Sequence, residues 1–226
     1  MKQDKSDTAK RRWVSQRALL IAVILICVVF GVLVVLSGEA RRQRELVSQL
    51  QERGKVALRS GETSPSDFLD TGLLDRVSAV EVRNANDLAL LSQFPNLTEV
   101  LIVNTHTTDI TALADLRNLE RLAIQEPGLV DIAALSELKN LKVLVLNCPQ
   151  VGEVASLSRL TNLTRLGIES TELADISPLA ALENLEYLSL GGSPITDISP
   201  LTHLKQLKEL HLGQTEVRDI SPLAAN

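Results

Sequence analysis

Three histidines (His106, His203, His211) and two cysteines (Cys27, Cys148) carry the chemistry for metal ligation, base catalysis or nucleophilic attack in this sequence. Such chemistry needs several of them to converge on one point, so everything depends on where the backbone aims each side chain. Cys27 lies inside a long apolar run and Cys148 far downstream, so no intrachain disulfide is expected and the redox compartment stays open. The histidines must be placed by the elements that hold them, and those elements are set by a repeat.

Asn-Leu recurs at Asn96-Leu97, Asn118-Leu119, Asn140-Leu141, Asn162-Leu163 and Asn184-Leu185, and Gln206-Leu207 continues the series at the same spacing of 22. Numbered from that Leu, positions 1, 4, 6, 11, 14, 17 and 20 are apolar in 40 of 42 instances, the exceptions being Thr107 and Asn226. A period of this length signals a solenoid, whose units bury their apolar faces only by stacking. Within one unit, Leu144 and Leu146 point inward with outward residues between them, the two-residue alternation of a strand. Positions 13–17 read Asp-Ile-Ser-Pro-Leu at 175–179, 197–201 and 219–223, with looser versions at 109–113, 131–135 and 153–157. Acid or serine oxygens there can accept free backbone N–H groups, and proline in a first helical turn gives up no needed donor. A short 3₁₀ turn is therefore predicted opposite each strand. The Asn before each Leu suits a left-handed backbone where the chain re-enters the strand.

In this register His106, His203 and His211 fall at positions 10, 19 and 5 and point in different directions, so they share no metal and serve no common nucleophile. Each reads as a solvated residue. Cys148, at position 8, reads as buried and unreactive. No catalytic residue, metal ligand or cofactor is expected, and the chain is read as a non-enzyme.

The L-x-x-L-x-L strand followed by a D-I-S-P-L turn resembles the 22-residue leucine-rich repeats of bacterial internalins and related surface proteins, over about residues 77–226. The resemblance implies an α/β solenoid: a right-handed, curved horseshoe with a parallel sheet on the concave side and 3₁₀ turns on the convex side. It also implies Asn at position 8, bridging backbone groups between coils. Here that position holds Asn104, Glu126, Cys148, Ser170, Gly192 and Gln214, so a degenerate internal ladder is expected. Val77, Val80, Val82, Leu88, Leu91 and Phe94 form a shortened first repeat, 77–96, ahead of those starting at 97, 119, 141, 163, 185 and 207. Seven strands would span about 29 Å.

Strand positions 3, 5 and 7 face outward and are not needed by the core. On this concave face Leu101, Val103, Val143 and Val145 make an aliphatic patch, flanked by Arg121, Arg165 and Tyr187, with His211 at its far end. An aliphatic anchor with a polar rim is the pattern of a protein-binding surface, and these eight residues are the candidate site. The alternative is a β-rich surface with incidental aliphatics.

The N-terminal part differs in kind. Residues 1–59 hold 12 Lys/Arg against 5 Asp/Glu, and residues 60–226 hold 11 against 23. An acidic repeat region argues against nucleic acid as a partner. Residues 18–36 read ALLIAVILICVVFGVLVVL, 19 without a charge, enough for one helix to cross a bilayer as a signal-anchor. A cleaved signal peptide ending at Gly38-Glu39-Ala40 is the competing reading. A basic tail, 1–17, precedes this segment. A helical stalk, 37–60, and an N-terminal cap, 61–76, follow it. Basic residues flank the segment on both sides and barely favour N-terminus inside, which puts the repeats on the extracytoplasmic side of a cytoplasmic membrane. The expected function is a membrane-anchored module binding a protein partner. The alternatives are a structural envelope component self-associating through the stalk or an open last repeat, where Asn226 replaces Leu, and a cytoplasmic-side regulatory scaffold if topology is reversed.

Overall fold

The computed structural model describes residues 45, 48, 55–58 and 77–225, and the fold below is built from these. The chain divides into two compact units, and all described residues except Glu45 belong to the second. The expected tail 1–17, membrane segment 18–36, cap 61–76 and Asn226 lie outside the described residues. Among the described residues no helix is long and apolar enough to cross a membrane.

β1 (Lys55–Leu58) precedes the repeats, and from there strands come once per repeat: β2 (Val77–Val82), β3 (Glu99–Val103), β4 (Arg121–Gln125), β5 (Val143–Asn147), β6 (Arg165–Glu169), β7 (Tyr187–Ser189) and β8 (Glu209–His211). They form one sheet in chain order, with β2 to β8 parallel. Partners from β3 onward stand 22 apart in the chain, as in Arg121 with Val143 and Val143 with Arg165. Between β2 and β3 the offset is 20, as in Ala79 with Glu99, so the shortened first repeat is a true coil. Its turn is a nine-residue 3₁₀ segment, Ala85–Gln93, begun by the Asn84 side chain accepting from Asn86 N–H.

The other coils return through five-residue 3₁₀ turns: Thr111–Asp115, Ala133–Glu137, Ala155–Arg159, Ser177–Ala181, Ser199–His203 and Ser221–Ala225. An aspartate two residues ahead sets each entry where one is present. Asp109, Asp131, Asp175, Asp197 and Asp219 each accept, through Oδ1, the N–H two residues on, at 2.7–2.8 Å. That is the local bond short acidic side chains favour over continued helix. Leu, Ile and Val at the seven apolar positions are buried from Leu97 to Leu204, most of them completely. The one polar member, Thr107, is buried with its hydroxyl donating to Asp109 O at 2.8 Å.

Three expectations change. The predicted stalk helix does not run through residues 55–58: these form β1, antiparallel to β2, with Lys55 opposite Glu81 and Val56 opposite Val80. The first parallel strand would otherwise present an edge of unpaired N–H and C=O groups, and pairing with it outweighs the stalk's helical pattern at these four residues. Asn118, Asn140, Asn162 and Asn184 are not left-handed; among the described residues the non-glycine positive φ values belong to Asn104, His106 and Gln214. Each of those four asparagines instead donates through Nδ2 to a carbonyl one coil back, Pro95, Arg117, Lys139 and Thr161 in turn, at 2.8–2.9 Å.

The position-8 ladder, expected to be degenerate, is kept with changing chemistry. The buried Glu126 carboxylate accepts from Thr105 N–H at 2.6 Å and His106 N–H at 3.0 Å. Cys148 Sγ lies 3.7 Å from Ile124 O. The Ser170 hydroxyl donates to Val151 O at 2.7 Å and accepts from Glu172 N–H at 3.1 Å. The remaining three positions solve the turn by backbone: Asn104, Gly192 and Gln214 sit at φ 50°, 73° and 60°.

Candidate protein-binding surface

The strand face opposite the core is organised in rows, because parallel pairing at constant offset aligns equivalent repeat positions. One row runs Glu99, Arg121, Val143, Arg165, Tyr187, Glu209. The next runs Leu101, Ala123, Val145, Gly167, Ser189, His211, and a third Val103, Gln125, Asn147, Glu169. All eight candidate residues therefore share this face. Arg121, Val145, Arg165 and His211 are exposed; Leu101, Val103, Val143 and Tyr187 are half-buried.

They do not make one continuous patch. Leu101 and Val103 on β3 are separated from Val143 and Val145 on β5 by β4, which contributes Arg121, Ala123 and Gln125. Arg121 Nε is 3.4 Å from Glu99 Oε2, so its charge is partly answered within the face. The stronger grouping lies between β5 and β8. There the Arg165 guanidinium sits 4.3 Å above the centre of the Tyr187 ring, and that ring lies 5.3 Å from the His211 ring at a 43° tilt. A guanidinium over an aromatic face is held by the ring quadrupole, which fixes two long side chains that would otherwise roam. His211 Nε2 in turn lies 3.9 Å from Glu209 Oε2.

Between these groups is a depression of about 330 Å³, lined on its open side by Val143, Val145, Arg165, Gly167, Glu169 and Tyr187. Gly167 makes it: a Cβ built there would meet only Val145 Cγ1, at 3.9 Å. The missing side chain is thus open space, not a packing requirement. Val145 beside it is 45% exposed, unusual for a large aliphatic on a strand. Gly167 and Glu169 were not among the candidates read from the sequence; the signal that could have found them is a gap and a carboxylate at outward positions between anchors.

The side chains singled out for chemistry lie apart. His106 follows β3 on a left-handed backbone, His203 closes the 3₁₀ turn Ser199–His203, and His211 is in β8. Cys148 is buried beside Glu126, and loss of solvent pushes its thiol pKa up; the Glu126 backbone N–H opposes this in part and the Glu126 carboxylate adds a smaller push.

Comparison with known proteins agrees with this architecture. A family model for leucine-rich repeats in two copies matches residues 161–203 and 183–225. None of the curated protein sequences compared with the chain matches it. Internalin C2 of Listeria monocytogenes is 31% identical over 74% of this chain and 74% of its own, with a TM-score of 0.62. A leucine-rich-repeat protein of Leptospira interrogans shares the fold at 20% identity, covering 77% of this chain and 47% of its own, with a TM-score of 0.58. The chain belongs to the leucine-rich-repeat family, and its repeat domain is internalin-like.

Proposed function

We propose that this chain is a membrane-tethered, non-enzymatic module that receives a protein partner on its outward strand face, centred on Val145 and Gly167. Leucine-rich-repeat proteins are in general protein-interaction modules, which sets the class. The observation that carries the reading is the exposed Val145 beside the Gly167 depression, framed by the stacked Arg165, Tyr187 and His211. Binding energy at protein interfaces concentrates in aromatic and arginine anchors next to pockets, with weaker contacts around them excluding water. Tyr187 and Arg165 supply the pre-positioned anchors; Val143 and Val145 supply apolar area. Replacing both valines with Asp is expected to abolish capture of the partner by the full chain while leaving it folded, with a modest drop in its thermal melt, because neither side chain belongs to the buried core but Val143 is half-buried in a strand. Retention of the same partner by that variant would rule out this site.

The tether is the uncharged segment 18–36, long enough at ~1.5 Å per residue to cross a bilayer as a helix. The chain is read as single-pass in a cytoplasmic membrane with the repeats outside. Reporters fused after Leu58 and after Asn226 are expected to be active only as exported forms; cytoplasmic activity at both sites would reverse the topology.

A further inference from the structure

Resting on the proposed function, the geometry points to the chemistry of the partner: an extended segment of the form acid-x-apolar-x-base, laid along β6. Three successive outward residues of β6 are Arg165, Gly167 and Glu169. They read cation, gap, anion, at two-residue intervals of about 6.6 Å. An extended ligand has the same period, so its side chains at i, i+2 and i+4 come over these three positions together.

Each position asks for a different group. Arg165 is held over Tyr187, yet among the described residues its guanidinium has no carboxylate partner, so its N–H donors remain open for one. A planar guanidinium fixed by stacking is suited to a carboxylate in two-point contact. The gap at Gly167, with Val145 on one side and Ser189 on the other, accepts an aliphatic side chain. Glu169 is exposed and, among the described residues, has no ion pair; it takes Lys or Arg from the ligand. The other charges on the face are already engaged locally: Arg121 with Glu99, and Glu209 near His211. The charge pattern therefore sets the composition of the ligand: acid-x-apolar-x-base fits running parallel to β6, and the reverse order fits running antiparallel. The acid is taken as a side-chain carboxylate within the segment, which amidated peptides distinguish from a terminal one.

The test is selection of random nine-residue peptides, amidated at the C-terminus, on the full 226-residue chain. The expected enrichment is an acid and a base four positions apart with an aliphatic residue midway between them, in either order. Arg165→Glu should select a base at both ends of the motif, Glu169→Lys an acid at both ends, and the two together should restore one of each. Each single reversal should weaken a wild-type-selected peptide about tenfold or more. Gly167→Leu, which only fills the gap, should weaken it at least as much without altering the thermal melt. No enrichment, or the same motif on Arg165→Glu, overturns the inference. Val143→Asp/Val145→Asp separates the two levels. Peptides lost on that variant but indifferent to charge at 165 and 169 leave the strand face as the site and refute the charge pattern. Peptides that survive it refute the site itself.

Discussion

Glu126 is where a single residue carries the most structural consequence. Its carboxylate is fully buried and holds two backbone N–H groups of the preceding coil, next to the left-handed Asn104 and His106. Glu126→Gln keeps the volume but replaces one accepting oxygen with a donor, so one N–H is left buried and unpaired. The expected loss is about 1–3 kcal/mol in chemical denaturation, with faster hydrogen exchange confined to residues 104–107. A loss below 0.5 kcal/mol would mean water replaces the bond. At Cys148 burial and the neighbouring carboxylate both disfavour the thiolate. Alkylation followed by peptide mass spectrometry is therefore expected to proceed at that site only as fast as the chain opens. Position 8 was legible as a point where coils must be bridged. Which bridge forms was not, because a carboxylate, a hydroxyl and a left-handed backbone all solve the same hydrogen-bonding problem.

At the scale of elements, two ladders fix how one coil meets the next. The asparagine ladder acts through side chains and not through backbone conformation. Asn140→Ala is expected to cost about 0.5–1 kcal/mol, at the low end because the bond is solvent-exposed. Asn140→Gly should cost at least as much, whereas a left-handed backbone there would make glycine harmless. The aspartate ladder predicts a pH dependence. Asp109, Asp175 and Asp219 have carboxyl pKa values held below the usual 3.8, first by the backbone N–H each accepts and then by the side chain of the same Thr or Ser. A lowered folded-state pKa contributes stability that is complete above the ordinary carboxyl range and is lost as pH falls below it. Asp175→Ala should therefore lower the melting temperature slightly at pH 7 and matter less as pH falls below the ordinary carboxyl range. Strands and turns could be read from the sequence because core spacing alone dictates them. β1 could not, since four residues carry too little pattern and the force that makes them a strand is the edge of a sheet built from residues 19 or more positions later.

For the molecule as a whole, the constant offset of 22 makes the repeat domain modular along its axis. Deleting residues 141–162 should leave a folded, cooperatively melting chain of lower stability, because neighbouring coils re-register. Deleting 11 residues, half a unit, should destroy cooperativity, because the strand of the next coil then has no partner in register and its core positions face solvent. The repeat leaves the outward strand residues free of structural duty, which is why the face could be read from the sequence while its relief could not. The depression exists only because Gly167 falls between Val145 and Ser189 on neighbouring strands. Two exposed valines offer the most direct test that this face is the binding surface: Val145 on it, 45% exposed, and Val130 off the strands, 55% exposed. A photo-reactive amino acid placed at each in the full chain, irradiated in its native cells, should give a discrete protein adduct from position 145 and none from 130. An adduct from 130 with none from 145 would contradict the account.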